Sequence, residues 1–231
     1  MSARQLIVNA DDFGRSRGVN RGIGAAHNDG VVTSASLMVR WPAAKEAAVL
    51  AHSMPQLSIG LHVDLSEWIY RDGDWVRLYT VVGDDPSEIA SESRRQLAAF
   101  RSLVGRDPSH LNSHQHVHRD EPVRSVLVDL AAELEVPLRQ FTPEIEYRGE
   151  YHGQTTTGDP LPTALTVEAL AAILRSLAPG TSELGCHPAL EVDFESVYGA
   201  ERLVELHVLR SAEIRNVLEV EDIRLVSFDQ L

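Results

Sequence analysis

Residues 5–14 read Gln5-Leu6-Ile7-Val8-Asn9-Ala10-Asp11-Asp12-Phe13-Gly14. An apolar run of strand length gives way at its C-terminal end to two carboxylates and a glycine, and a helical pattern follows over 19–28. Outward from this stretch the same unit recurs. Apolar runs at 5–10, 34–39, 57–64, 110–113, 138–142, 183–187 and 225–228 read as seven strands. Helical patterns fill 19–28, 43–52, 87–103, 123–135, 167–177 and 200–216, the second opened by Pro42 at a first turn. Strand–helix alternation along the whole length predicts a mainly parallel sheet in one α/β domain, 1–231, either a barrel or a doubly wound sheet.

Composition narrows the function. With 43% hydrophobic residues, the chain can bury a full core without disulfides. The net charge of −13 argues against nucleic-acid binding, which needs a basic surface to displace phosphate counterions. A single cysteine, Cys186, allows no intrachain disulfide and fits a reducing compartment. The apolar run 6–8 is too short for a signal-peptide core or a membrane span. The expectation is a cytoplasmic protein that does not enter a membrane. Ten histidines stand out; His27, His52, His152 and His207 lie outside any cluster and read as surface residues.

Four polar clusters sit at or just past the C-terminal ends of predicted strands. They are Asn9 to Gly14, Gly60 to Asp64, His110 to His118, and Gly185 to Pro188. Both β/α barrels and open α/β sheets build their sites at that end. The joint position of the clusters carries more weight than any one of them.

Strict strand alternation sends Asp11 and Asp12 to opposite faces, so both reach one site only if the chain turns as the strand ends. Gly14 suits such a turn. One carboxylate could then bind a metal while the other acts as a base. The plain alternative is that Asp12 caps the next helix and Asp11 is solvated. His62 shares a face with Ser58, Gly60 and Asp64, opposite Leu57, Ile59, Leu61 and Val63. The apolar face would meet helices and the small polar face would look into the barrel. His110, Asn112, His114, His116 and His118 share one parity and point the same way for as long as the strand persists. One strand can deliver one or two imidazoles to a metal, leaving the others for supporting or substrate contacts. His187 precedes Pro188, which restricts it to extended geometry at a strand end. Two long irregular stretches, 66–85 and 143–162, carry Trp68, Tyr70, Trp75, Tyr79, Tyr147 and Tyr151, rings suited to stacking on sugars or to pinning the loops.

At these residues the chain resembles the YdjC/ChbG family of carbohydrate deacetylases. The segments "LIVNADDFG", "VTSASLMV", "IGLHVDL", "HLNSHQHVH" and "GCHPA" carry the resemblance in motif order over nearly the whole chain. It implies a seven-stranded, TIM-like (β/α) barrel related to the NodB-type polysaccharide deacetylases. It also implies removal of the acetyl group from an N-acetylated sugar. By resemblance Asp12, His62 and His114 are the metal ligands, Asp11 the catalytic base and His187 the general acid. Arg139, in "PLRQF", is placed to hold a carboxylate such as that of Asp11. His116, His118, Arg139 and Asn112 complete the expected substrate or supporting contacts. The cofactor is one divalent ion: the ligand types suit Zn2+, whereas the family is described with Mg2+. A homodimer is also implied. Two departures stand out. The family usually has Asp where this chain has Asn112, and more often an apolar residue where it has Arg15.

Two other functions compete. One is a metal-dependent hydrolase of a phosphoester or cyclic amide. Barrel amidohydrolases place a His-x-His pair on the first strand, where this chain has Asp-Asp, and no glycine-rich phosphate loop is present. The other is a non-catalytic sugar-binding barrel, against which the full set of candidate catalytic residues argues.

Overall fold

β1 (Arg4–Phe13) runs through the middle of a curled parallel sheet, and the other strands are placed relative to it. In the computed structural model, which describes residues 3–231, the chain continues through α1 (Arg17–Asn28), β2 (Ser34–Leu37), α2 (Ala44–Ser53) and β3 (Ser58–Val63). An antiparallel hairpin of β4 (Ser66–Arg71) and β5 (Asp74–Thr80) precedes α3 (Pro86–Val104) and β6 (Leu111–Ser113). Then come α4 (Val123–Leu134), β7 (Ile145–Arg148), α5 (Val167–Arg175), β8 (Gly180–Cys186), α6 (Ala200–Leu209), α7 (Ala212–Val220) and β9 (Ile223–Leu225).

The sheet order is β6-β3-β2-β1-β8-β7, with every ladder parallel. β1 is long enough to hold two neighbours on one edge: β9 pairs with Arg4 to Leu6, and β2 takes over from Asn9. This is the TIM-like α/β barrel expected from the sequence, with seven strands in its curled sheet.

Side-chain alternation splits the interior in two. Val8 and Ala10 of β1, Ile59, Leu61 and Val63 of β3, and Leu184 and Cys186 of β8 face outward into the main core, which the helices cover. Each fully buried Leu or Ile there contributes about 2 kcal/mol relative to exposure. The inward face carries a small apolar plug of Ile7, Val226 and Phe228, with Ile145 against it. Above the plug it turns polar, with Asn9, Ser36, His62, His110 and Asn112 all buried. The His110 ring stacks on Phe228 (3.8 Å between centroids) and lies across Gly60, where a Cβ would come within 2.4 Å of the imidazole. Only glycine fits there.

Four expectations need correction. The strand predicted at 138–142 is reduced to one parallel bridge, Leu138 to Leu111; the chain turns at once, and the seventh ladder strand is β7, inside the stretch read as irregular. The other irregular stretch, 66–85, is mostly the β4–β5 hairpin. The helix predicted over 200–216 is two helices, because Ser211 adopts an extended conformation and its hydroxyl accepts from the backbone of Ile214, starting α7 anew. The last strand lies at Ile223–Leu225 and not 225–228. Among the described residues no helix is long and apolar enough to cross a membrane.

Candidate active site

The chain turns at Asp12 itself. Its φ of 66° lies in the left-handed region, the β1–β2 register shifts between Ala10 and Phe13, and the Arg15 amide closes the turn on the Asp12 carbonyl at 2.9 Å. A non-glycine residue in that region is strained, and such strain concentrates at functional sites. Gly14 (φ 91°) completes the turn where a Cβ would collide with the Met38 carbonyl at 2.9 Å. Break of alternation here buries both Asp11 and Asp12 at the strand end.

Asp12 Oδ1 lies 3.4 Å from His62 Nε2 and 3.2 Å from His114 Nδ1. The three donor atoms fall within 4.8 Å of one another, so they can converge on one ion. Asp12 Oδ1 is buried without a hydrogen-bond partner among the described residues, which a cation would remedy. Oδ2 accepts from Arg202 Nη2, leaving Asp12 one free oxygen. Burial opposes ionisation of Asp12, but Arg202 and His114 hold its carboxyl well below the usual range. Burial likewise opposes protonation of His62, yet the Asp11 and Asp12 carboxylates raise its pKa, so the pocket favours positive charge. His62 donates from Nδ1 to Asn112 Oδ1 at 2.7 Å, which fixes the tautomer that leaves Nε2 free.

Asp11, beside this trio, has its own set of partners. Its Oδ1 accepts from Asn9 (2.9 Å), Asn112 (3.0 Å) and Arg139 Nη2 (2.9 Å). Its Oδ2 accepts from Arg139 Nη1 at 2.6 Å and faces His187 Nε2 at 3.9 Å. Burial is the largest influence and raises the carboxyl, but Arg139, His62 and His187 together hold it well below the usual carboxylate range. Oδ1 is saturated, whereas Oδ2 accepts only from Arg139 and keeps a lone pair with room for a proton.

His187 is the most open of the proposed catalytic side chains, 20% exposed. Its amide donates to Glu205, and its Nδ1 lies 3.7 Å from Glu205 Oε1. Tyr198 donates its hydroxyl to the same carboxylate. His152 stacks on Tyr198 (4.6 Å) and meets His187 edge-on (5.7 Å).

The histidine-rich segment departs from the parity expected of it. β6 ends at Ser113, and His114–Arg119 is a 3-10 turn kinked at Gln115 and His116, both with positive φ. The kink separates the imidazoles. His114 joins Asp12. His116 packs on Tyr147 with Nε2 3.4 Å from its hydroxyl, and burial with the charge of Arg139 pushes its pKa down to about 2. His118 is fully buried with Nδ1 2.6 Å from Ser113 Oγ, so it braces the turn. Gln115 reaches out to the hairpin, accepting from Trp68 N at 2.8 Å and donating to Trp68 O at 2.7 Å. The loop aromatics divide as well. Tyr151 is buried and Tyr79 donates to Asp64 at 2.7 Å, so both pin structure, while Trp75 is exposed.

The family model described as YdjC-like protein matches residues 5–220. The chain belongs to the YdjC-like family. A carbohydrate deacetylase of Brevibacillus brevis is 35% identical over 252 aligned positions, covering 98% of this chain and 99% of the relative. A chitooligosaccharide deacetylase of Serratia marcescens is 33% identical, covering 98% of each. Among solved structures, an Enterococcus faecalis protein superimposes with a TM-score of 0.77 at 24% identity, covering 99% of this chain and 98% of that one. A family 4 carbohydrate esterase of Streptomyces lividans does so at 0.59 and 12% identity, covering 97% and 93%. These two likenesses bear on the fold alone.

Within this YdjC-like chain, four site residues escaped the sequence reading. Glu183 accepts from Arg139 Nε at 2.8 Å and is buried on β8, where an acidic residue inside a parallel strand was a signal to be followed. Arg202 and Glu205 lie on α6, where charged residues in a helical pattern look like any solvated face. His152 was read as a surface residue, and only the fold of the loop brings it beside His187.

Proposed function

We propose that the chain is a metal-dependent hydrolase that removes the acetyl group from an N-acetylated sugar of the chitooligosaccharide type and releases acetate. The observation that carries this reading is the division of labour at the end of β1. Asp12 faces two imidazoles with an unpartnered oxygen, while its neighbour Asp11 is held ionised, facing His187. The names of the relatives, carbohydrate and chitooligosaccharide deacetylases, support the choice of bond and substrate.

Amide hydrolysis needs a stronger nucleophile than water and help for a poor amine leaving group. Asp12, His62 and His114 would hold the ion, zinc or magnesium. When bound there, a divalent cation lowers the pKa of water and polarises a carbonyl. Asp11 Oδ2 takes the water's proton, with Arg139, Asn9 and Asn112 fixing the carboxylate so that only Oδ2 keeps a lone pair open. His187, protonated, donates from Nε2 to the departing nitrogen. Glu205 accepts from the backbone amide of His187 and lies 3.7 Å from its Nδ1, which favours Nε2 on the side of Asp11. Trp75 and neighbouring loop aromatics offer faces for a sugar ring.

Acetate release from N-acetylated mono- and disaccharides, by metal-stripped protein resupplied with zinc or magnesium, tests the reading. Metal-dependent release is expected, with Asp11→Asn retaining metal and losing nearly all activity, and His114→Ala losing the metal. Full activity in Asp11→Asn removes the base assignment, and unchanged metal content in His114→Ala removes the ligand assignment.

A further inference from the structure

The two histidines that face Asp12 are held unequally. His62 has its outer nitrogen fixed by Asn112 at 2.7 Å. His114 presents Nδ1 to Asp12, and its outer nitrogen, Nε2, is buried with no hydrogen-bond partner among the described residues. The acidic group facing that nitrogen is Glu67, with Oε2 4.0 Å away.

Glu67 belongs to the hairpin and not to the barrel. On β4 it alternates with half-buried neighbours and shares the buried side with Ile69. A carboxylate at such a position needs compensation. Arg15 supplies it, with Nη2 at 2.6 Å from Oε2 and the guanidinium 3.8 Å from the Trp41 ring centroid. The register of this strand over the site is set by Gln115, which is next to His114 in sequence and clamps both backbone groups of Trp68, next to Glu67. The hairpin is thus tied at adjacent residues to the segment that carries the unpartnered imidazole.

We propose that Glu67 is a positioning residue for His114. Its carboxylate accepts the Nε2 proton of His114, fixing the tautomer that leaves Nδ1 free for the ion, and Arg15 holds the carboxylate in place. The gap to hydrogen-bond distance is about 1 Å, within reach of a small side-chain rotation. A carboxylate behind a ligating imidazole orients the ring and makes it a better donor. The inference rests on the reading of Asp12, His62 and His114 as ion ligands.

The test is the zinc affinity of the full-length protein, stripped of metal and titrated against a chromophoric chelator. Glu67→Ala is expected to weaken zinc binding about 10- to 100-fold. Glu67→Gln, whose amide oxygen still accepts, is expected to lose less. In the zinc-loaded wild type, the proton on His114 Nε2 is expected as a slowly exchanging downfield NMR resonance that moves in Glu67→Gln. Zinc affinity in folded Glu67→Ala within about twofold of wild type, with the resonance unmoved in Glu67→Gln, overturns the role of Glu67 and leaves the ligand assignment standing. A wild type that binds no zinc or magnesium overturns both.

Discussion

Arg139 grips Asp11 with both terminal nitrogens, Nη1 to Oδ2 at 2.6 Å and Nη2 to Oδ1 at 2.9 Å, in a buried pair. Its Nε donates to Glu183 at 2.8 Å, so one planar cation is fixed between two carboxylates. Lysine has no such fork. Arg139→Lys is expected to lower kcat by about 100-fold through a misplaced Asp11, with metal content unchanged. Arg139→Met, which leaves two buried acids uncompensated, is expected to lose about 3–5 kcal/mol of stability. Steady-state kinetics and denaturant unfolding check the two, and a wild-type kcat in Arg139→Lys would remove the positioning role.

Asn112 donates to Asp11 Oδ1 (3.0 Å) and Ser36 Oγ (2.8 Å) while accepting from His62. An acid at this position replaces a donor by a like charge at that distance. Asn112→Asp is therefore expected to destabilise the protein by about 1–3 kcal/mol at neutral pH and to push one of the two carboxyls up in pKa. Thermal unfolding across pH checks this: the deficit should shrink as acid lets the pair share a proton. A deficit that is absent, or constant with pH, contradicts it.

Arg202 compensates the oxygen of Asp12 that faces away from the histidines. In Arg202→Met that buried carboxylate keeps only the two imidazoles and, on the proposed reading, the ion for compensation. The metal-stripped variant is expected to lose about 3 kcal/mol or more, and zinc should raise its Tm by more than it raises that of the wild type. Calorimetric scans with and without zinc decide it. Equal zinc-induced shifts would show that Arg202 and the ion act independently.

Burial and the charge of Arg139 push the pKa of His118 from its ordinary 6.5 down to about 4. A histidine held neutral by the fold contributes stability above pH 6.5, and this is lost as pH falls toward 4, because only the unfolded chain takes the proton. The loss from His118 over that window is on the order of 3 kcal/mol. His118→Gln is expected to flatten the decline of stability below pH 6.5, whatever its effect at neutral pH. Denaturant midpoints from pH 7 to pH 4.5 test this, and parallel curves for variant and wild type would contradict it.

The sequence by itself determined what local chemistry encodes. Strand–helix alternation specified the layering, since a parallel strand needs a helical return. The polar–apolar alternation of Ser58 to Val63 specified which face meets the helices, because burial on that face is repeated at every second residue. The motif order pointed to the family. Asp11, Asp12 and His62 drew attention by standing near strand ends, whereas the resemblance to the family singled out His114 and Arg139. The tertiary structure decided what depends on contacts between distant segments. Alternation held His110 and Asn112 on one face, but the kink at Gln115 and His116 broke it for His116 and His118. The loop 66–85 became a hairpin that carries Glu67 to the site. Nothing local to α6 distinguishes Arg202 and Glu205 from solvated charges; only the packing of that helix beside α1 brings them to Asp12 and His187. A buried charge finds its partner through the fold, because the cost of leaving it unpaired is set by surroundings that the linear chain does not contain.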